Sequence, residues 1–272
     1  MFTYIDPTVR ERLIAQGKLI RINGRGQVIS LDAAPPPGET SLSMLGPIPL
    51  PSRLAGPGLT LNWYAFVRHT ELAKVEELAR DLRRHGSQGL FSTLVSSMAV
   101  NSVLVIGDPS ESDSPLVRVH SSCLTGDVFG SERCECGPQF VSALERIAGD
   151  RAGGLLIYMA GHEGRGIGLW AKAATYLLQD AGENTYQANR SLGLPDDSRD
   201  FTDAAAVLHH FLDGRPFRLL TNNPKKVVDL ERLGLAHITP VKHLVGVGRW
   251  NRRYLAAKRD RGHQLGEQDL GD

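Results

Sequence analysis

The 272-residue sequence predicts an α/β fold of mixed α+β character, a sheet covered by helices. Three observations carry that expectation. From residue 118 onward, apolar runs of strand length alternate with amphipathic runs of helix length, the pattern of helices laid over a sheet. Between residues 46 and 117, strand-like pieces surround one strongly amphipathic helix. Apolar residues make up 41% of the chain, enough for an ordinary hydrophobic core.

The elements follow in order. TVRERLIAQG reads as a short helix, and KLIRINGRGQVISL reads as two strands around the turn NGRG. The proline run AAPPPGE then reads as a linker. LTLNWYAFV and VNSVLVIG are strand-like, and ELAKVEELARDLRRHG between them is a helix stopped by Gly86, its leucines and valine facing the core. In QFVSALERIAGD, Phe140, Leu144 and Ile147 share one helical face. GLLIYMAG is a buried strand, IGLWAKAATYLLQDAG and DAAAVLHHFLDG are helices, FRLLT is a strand and PKKVVDLERLG a helix. The charged end, RRYLAAKRDRGHQLGEQDLGD, reads as finishing in a loose tail, and no internal repeat is visible.

Composition excludes several classes. Lys and Arg number 31 against 30 acidic residues, so no overall field recruits nucleic acid or an anionic membrane. No apolar run approaches the length of a membrane span, and MFTYIDPTVRERL lacks a secretory pattern, so a cytoplasmic protein is expected. An odd cysteine count without an export signal argues for reduced thiols, and hence for metal or catalysis.

All three thiols, Cys123, Cys134 and Cys136, fall within CLTGDVFGSERCEC. Thiolates suit zinc, and three ligands without a fourth cysteine favour an open, catalytic site. The alternatives are a closed site with His120 as fourth ligand, or three buried apolar cysteines. Arg133 beside them would either offset thiolate charge or stand in solvent.

HEGRGIGL (162–169) joins a strand to a helix, where its glycines allow close backbone approach and Glu163 and Arg165 offer an acceptor and a cation. In TNNPKK (221–226), Asn223 is a good N-cap and Pro224 a good first helical residue. Lys225 and Lys226 then occupy a first turn where the helix dipole disfavours cations, a misfit that a bound phosphate would remove. PDDSRDF (195–201) packs three carboxylates around Arg199. Each has a plainer reading, as a connection, a solvated lysine pair or a capped turn. Together they suggest a zinc enzyme acting on a phosphorylated small molecule.

These stretches, with RVHSSCLTGD, RCECGPQ and YLLQD in this order, resemble GTP cyclohydrolase II over about 118–263, ending at YLAAKRDRGH. The resemblance implies hydrolysis of GTP to formate, pyrophosphate and 2,5-diamino-6-ribosylamino-4(3H)-pyrimidinone 5′-phosphate. Zinc on Cys123, Cys134 and Cys136 would activate water against C8 of guanine. By the same resemblance Arg199 is the nucleophile toward the α-phosphate, or a stabiliser of its charge, with Asp197 as its base and Tyr176 near the reacting ring. GTP contacts are implied for Arg118, Val119, His120, Ser121, Ser122, Gln139, Glu163, Gly164, Arg165, Thr185, Thr221 and Lys226. Magnesium on the triphosphate and a homodimer are implied as well.

Ser122, Ala160 and Ala174 stand where the family usually carries charged side chains. A paralogue with another product, such as a formamidopyrimidine nucleotide, is therefore an alternative reading, as is a catalytically silent zinc- and nucleotide-binding module. The expected organisation is an extension over 1–45, a catalytic domain over 46–263 with a helical insertion near 71–86, and a tail over 264–272.

Overall fold

A nine-stranded mixed sheet runs in the order β2-β1-β3-β4-β5-β7-β6-β8-β9. The computed structural model describes residues 5–33, 38–54, 56, 58–85 and 99–270. The strands are β1 (Leu19–Asn23), β2 (Val28–Ile29), β3 (Ser41–Ser52), β4 (Leu59–Arg68), β5 (Asn101–Gly107), β6 (Leu116–Ser121), β7 (Gly153–Met159), β8 (Phe217–Leu220) and β9 (Ile238–Val241). Pairing is antiparallel from β2 through β5 to β7 and parallel across β7, β6, β8 and β9. The helices are α1 (Pro7–Ala15), α2 (His69–His85), α3 (Leu124–Asp127), α4 (Cys136–Ala148), α5 (Leu169–Asp180), α6 (Thr185–Ser191), α7 (Thr202–Leu212), α8 (Pro224–Arg232) and α9 (Arg252–Arg259).

The two faces of the sheet are sorted by strand alternation. On β7, Leu155 and Ile157 join one core with Val117, Val119 and the apolar face of α7, Ala204 to Leu208 and Leu212. Leu156 between them joins the other core with Leu116, Leu220 and Ala143, Leu144 and Ile147 of α4. Period-two alternation sends successive side chains to opposite faces, so a central strand needs apolar residues at both parities. β6 meets this only partly. Val117 and Val119 face the α7 core, whereas Arg118 and His120, at the other parity, take up the polar end of the α4 side.

β3 carries Pro47, Pro49 and Pro51 and lies outside the strands expected from the sequence. Its pairing explains the tolerance. Residues 42–45 are flanked by both β1 and β4, whereas 48–52 pair with β4 alone, so a missing N–H there leaves no outer neighbour unpaired. The boundary drawn at residue 45 falls inside this strand, and the strand pair around NGRG is continuous with the sheet. That hairpin also touches α7, where the Gly26 carbonyl accepts from the His210 ring at 2.9 Å.

α2 buries Val75, and Gly86, the residue expected to stop it, lies outside the described residues, as do 34–37 of the proline run. The end of the chain is not loose over its described part. Leu255, Leu265 and Leu270 form a small separate cluster with Leu244 and Val247, and Glu267–Leu270 is a 3₁₀ turn. Its charged residues hid this, because few apolar positions are needed to seat a short segment against an existing body. Among the described residues no helix is long and apolar enough to cross a membrane.

Candidate active site

β6, β7 and β8 all run out at one edge, and a cleft of about 1240 Å³ including its open mouth lies beyond their carboxyl ends. In open α/β sheets this is where ligands bind, since the loops that follow the strands diverge there. The chain leaving β6 enters α3 through Cys123, and Cys136 opens α4. The loop between them folds back, bringing the Sγ atoms of Cys123, Cys134 and Cys136 within 4.8 Å of one another, with Cys123 and Cys134 at 3.5 Å. Thiolates at about 2.3 Å from a tetrahedral zinc stand about 3.8 Å apart, so the donor set fits that ion.

Two glycines make the fold-back possible. A Cβ on Gly137 would stand 2.3 Å from the Gly126 carbonyl oxygen, and one on Gly126 would stand 3.1 Å from both the Cys123 and Cys134 sulfurs. Asp127 fixes the same loop, accepting from the Cys123 N–H at 2.9 Å and the Tyr158 hydroxyl at 2.9 Å. Its other partner is the His120 ring at 3.1 Å. His120 gives its Nε2 to Asp127, its Nδ1 is buried without a partner, and the ring stands outside the compact cluster formed by the three thiols.

Cations surround the thiols. Lys172 of α5 reaches Cys123 Sγ at 3.2 Å and Glu163 Oε1 at 2.6 Å. Burial opposes its charge, but Glu163 and the Cys123 thiolate hold its pKa above the ordinary lysine value. Hydrogen bonds from Cys134 and Cys136 push the Cys123 thiol far down, with Lys172 assisting, while Cys134 is pushed up to about 12 by its bond to Cys123. A divalent cation bound by the trio would favour the thiolate form of all three sulfurs. Glu163 Oε2 accepts from the Leu124 N–H at 2.7 Å, tying the HEGRG turn to α3. Gly164 and Arg165 both hold positive φ, 60° and 65°, and the Arg165 guanidinium lies 4.1 Å over the Tyr186 ring. Gly166 meets the Ser198 backbone so closely that a Cβ would stand 3.0 Å from it, so the turn and the acid/arginine loop pack as one unit.

In that loop Asp197 grips Arg199 through two oxygens, at 2.9 and 2.7 Å, and Arg199 also donates to Ser121 at 3.3 Å. Burial works to raise the Asp197 carboxyl, but the bonds and charge of Arg199 hold it below the usual carboxylate range. The loop is anchored from outside by Arg68 of β4, which donates to Asp200 at 2.7 Å and Asp203 at 2.9 Å.

The structure separates the two lysines of TNNPKK. Asn223 caps α8 by accepting from Lys225 N–H at 3.1 Å, and Lys225 turns outward to Asp229. Lys226 is buried instead, donating to the Val119 carbonyl at 2.7 Å, and burial followed by the charges of Arg118 and Arg199 lowers its pKa well below normal. Arg118 donates to the Leu220 carbonyl and to Gln139 Oε1, with burial bringing its pKa to about 10. Gln139 is spent on Arg118 and on the His243 carbonyl.

Of the expected contact residues, Arg118, His120, Ser121, Ser122, Gln139, Glu163, Gly164, Arg165, Thr185, Thr221 and Lys226 line the cleft, together with Asp197, Arg199 and Tyr176. Val119 does not. Its side chain is fully buried in the α7 core, because it has the opposite strand parity to its neighbours, and only its carbonyl faces Lys226. Tyr176 bonds Thr125 at 3.0 Å and lies under Arg133, which pairs with Asp180 and is neither free in solvent nor aimed at the thiols. Ser122 donates to the Ala160 carbonyl at 2.9 Å, so two of the three positions that depart from the family pattern touch each other.

Sequence reasoning missed Lys172, Tyr186, Tyr254, Lys258 and His263, all of which line the cleft. A lysine in the otherwise apolar stretch of α5 was a usable signal for Lys172. The last three belong to the segment read as charged surface, where nothing local marks which face is covered.

A polar cleft beyond parallel strands, with three thiols at one end and buried cations along its walls, has the chemistry of an enzyme site suited to an anionic small molecule and a thiol-held metal. The GTP cyclohydrolase II family profile matches residues 90–241. The chain belongs to the GTP cyclohydrolase II family. It is 53% identical over 171 residues, 61% of this chain and 40% of the relative, to riboflavin biosynthesis protein RibBA of Mycobacteroides abscessus. The RibBA of Nocardia farcinica is 51% identical over 174 residues, 62% of this chain and 41% of the relative. That of Mycolicibacterium gilvum is 48% identical over 200 residues, 71% of this chain and 47% of the relative. The chain thus spans less than half the length of these curated relatives.

Proposed function

We propose that this chain hydrolyses GTP as a zinc-dependent GTP cyclohydrolase II, releasing formate and pyrophosphate and leaving 2,5-diamino-6-ribosylamino-4(3H)-pyrimidinone 5′-phosphate. The observation that carries the reading is the joining of two features in one cleft: the open trio of thiols and, across from it, the paired Asp197 and Arg199 among buried cations. A zinc ion held by Cys123, Cys134 and Cys136 would supply a Lewis-acidic centre that activates water against C8 of guanine.

The chain's own residues do the rest. Glu163, fixed by Lys172 and the Leu124 N–H, lines the cleft beside the thiol loop, where its carboxylate would take a proton from an attacking water. Tyr176, held by Thr125, borders the same end and orients the ring. Arg165, Lys226 and Arg199 meet the triphosphate, and its charge repays the burial that depresses the Lys226 ammonium. Arg199 acts on the α-phosphate, and Asp197 holds its guanidinium by a two-point grip that fixes its direction. Magnesium arrives with the triphosphate. The working form is a homodimer in the cytoplasm.

The test is mass spectrometry of the products formed from GTP with magnesium and one equivalent of zinc. Formate, pyrophosphate and the diaminopyrimidine are expected. A formamidopyrimidine nucleotide would replace this reading with a truncated reaction, and bound GTP without product would replace it with a silent module. Cys134→Ser is expected to lose zinc and turnover together.

A further inference from the structure

The C-terminal segment forms one wall of the cleft through Tyr254, Lys258, His263 and Leu265, yet its apolar cluster is separate from both sheet cores. It is attached to the body mainly by polar contacts. Arg261 meets Asp196 at 3.3 Å, the Gln264 N–H donates to the Asn222 carbonyl, and Lys242 pairs with Asp269 on the exposed side. The most deeply placed of these ties is different in kind. Lys258 of α9 donates to Glu135 at 2.5 Å, with side-chain exposures of only 15% and 4%.

Glu135 stands between two of the three clustered thiols, Cys134 and Cys136, and immediately precedes α4. Its second oxygen, Oε2, is buried without a partner, so Lys258 is the cation bonded to this carboxylate, with the Arg118 charge adding a smaller share. The Lys258 ammonium also lies 4.7 Å over the Tyr254 ring, one turn back on α9, and Tyr254 in turn flanks Arg165 at 5.7 Å. A single buried ion pair thus joins the thiol loop, the C-terminal wall and the guanidinium that faces the cleft.

We propose that Lys258 is a positioning residue which couples metal occupancy of the thiol loop to docking of the C-terminal wall over the cleft. Without Lys258, a buried carboxylate would lose its bonded cation beside the thiol ligands, keeping only the more distant charge of Arg118, a costly arrangement that the loop relieves by moving. Outer contacts of this kind orient metal ligands, and their loss typically weakens metal binding by about 10- to 100-fold. Coupling is reciprocal. If the docked wall favours metal binding, then bound metal favours the docked wall by the same factor. The inference rests on the thiol trio holding zinc, and not on the fate of GTP.

Two measurements on the full chain test it. Zinc affinity, read by competition with a chromogenic chelator, is expected to fall about 10- to 100-fold in Lys258→Met and to recover in Lys258→Arg, which keeps the charge. Amide exchange of residues 252–265 is expected to be about tenfold faster in zinc-stripped than in zinc-loaded unmodified protein. This second measurement decides alone if Lys258→Met does not fold. Equal exchange in the two forms, or wild-type zinc affinity in a folded Lys258→Met, overturns the coupling. An unmodified chain that takes up no zinc overturns this inference and the proposed function together. Coupled zinc binding in a chain that leaves GTP intact overturns only the latter.

Discussion

Gly126→Ala separates the metal site from the fold more cleanly than removing a ligand does. The added methyl would stand 3.1 Å from the sulfurs of both Cys123 and Cys134 and 3.2 Å from Cys136 Cβ, so it touches all three arms of the cluster at once. Ordinary carbon–sulfur contact needs several tenths of an ångström more. The loop must therefore widen or one thiol must swing away. Forcing a methyl into a packed site costs about 1–3 kcal/mol. If that cost falls on the geometry that three thiolates need around one ion, zinc affinity drops about 5- to 150-fold. The fold itself should not suffer in proportion, since Gly126 sits within α3 and alanine is the better helix residue by about 1 kcal/mol. The assay pairs chelator competition for zinc with a thermal melt of the zinc-free protein. A fall in affinity with a melt within about 2 °C of the parent is expected. Zinc binding within twofold of the parent would refute the claim that the three sulfurs converge where Gly126 leaves room.

Two further outcomes follow from contacts away from the thiols. Arg68→Met removes the donors to Asp200 and Asp203 and leaves the Asp203 side chain, 9% exposed, without its cation. Because Arg68 is itself 39% exposed, a stability loss of about 1–2 kcal/mol is expected by chemical denaturation, together with a lower kcat as the Asp197–Arg199 loop loosens. A variant with parental kcat would show that the loop needs no outside anchor. For pH, burial holds His243 neutral, its pKa depressed to about 4, with Arg118 adding to the shift. An unfolded histidine titrates near 6.5, so between about pH 6.5 and 4 the unfolded chain binds a proton that the fold refuses. Stability therefore falls as pH drops through this window, by up to about 1.4 kcal/mol per pH unit for this one group. Melts from pH 7 to 4.5 should be shallower in His243→Gln than in the parent. Parallel curves would exclude His243 as a source of the slope.

The parts of the fold legible in sequence were those whose cause is local. The alternation of α4, β7, α5, α7, β8 and α8 shows in apolar spacing because each element must bury one stripe or run. The thiol spacing and the Asn-Pro start of α8 are equally local, the latter because one side chain caps the turn that follows it. β3 was hidden by its prolines, which become permissible only because β1 stops pairing before residue 48. β6 was hidden because half its residues face a polar cleft, so its alternation of valine with arginine and histidine does not look like a central strand.

By itself the sequence determined the class of fold, the three thiols and the helix starts that face the cleft, since those depend on residues a few positions apart. Tertiary structure alone decided the destination of each charge. Lys226 points into the cleft while adjacent Lys225 goes to solvent, Val119 is core between two cleft residues, and Lys258 crosses 123 positions to meet Glu135. The physical reason is that burial and partnership are set by which surfaces the packed sheet and helices bring together. A charged side chain carries no local mark of whether water or a counter-charge will face it.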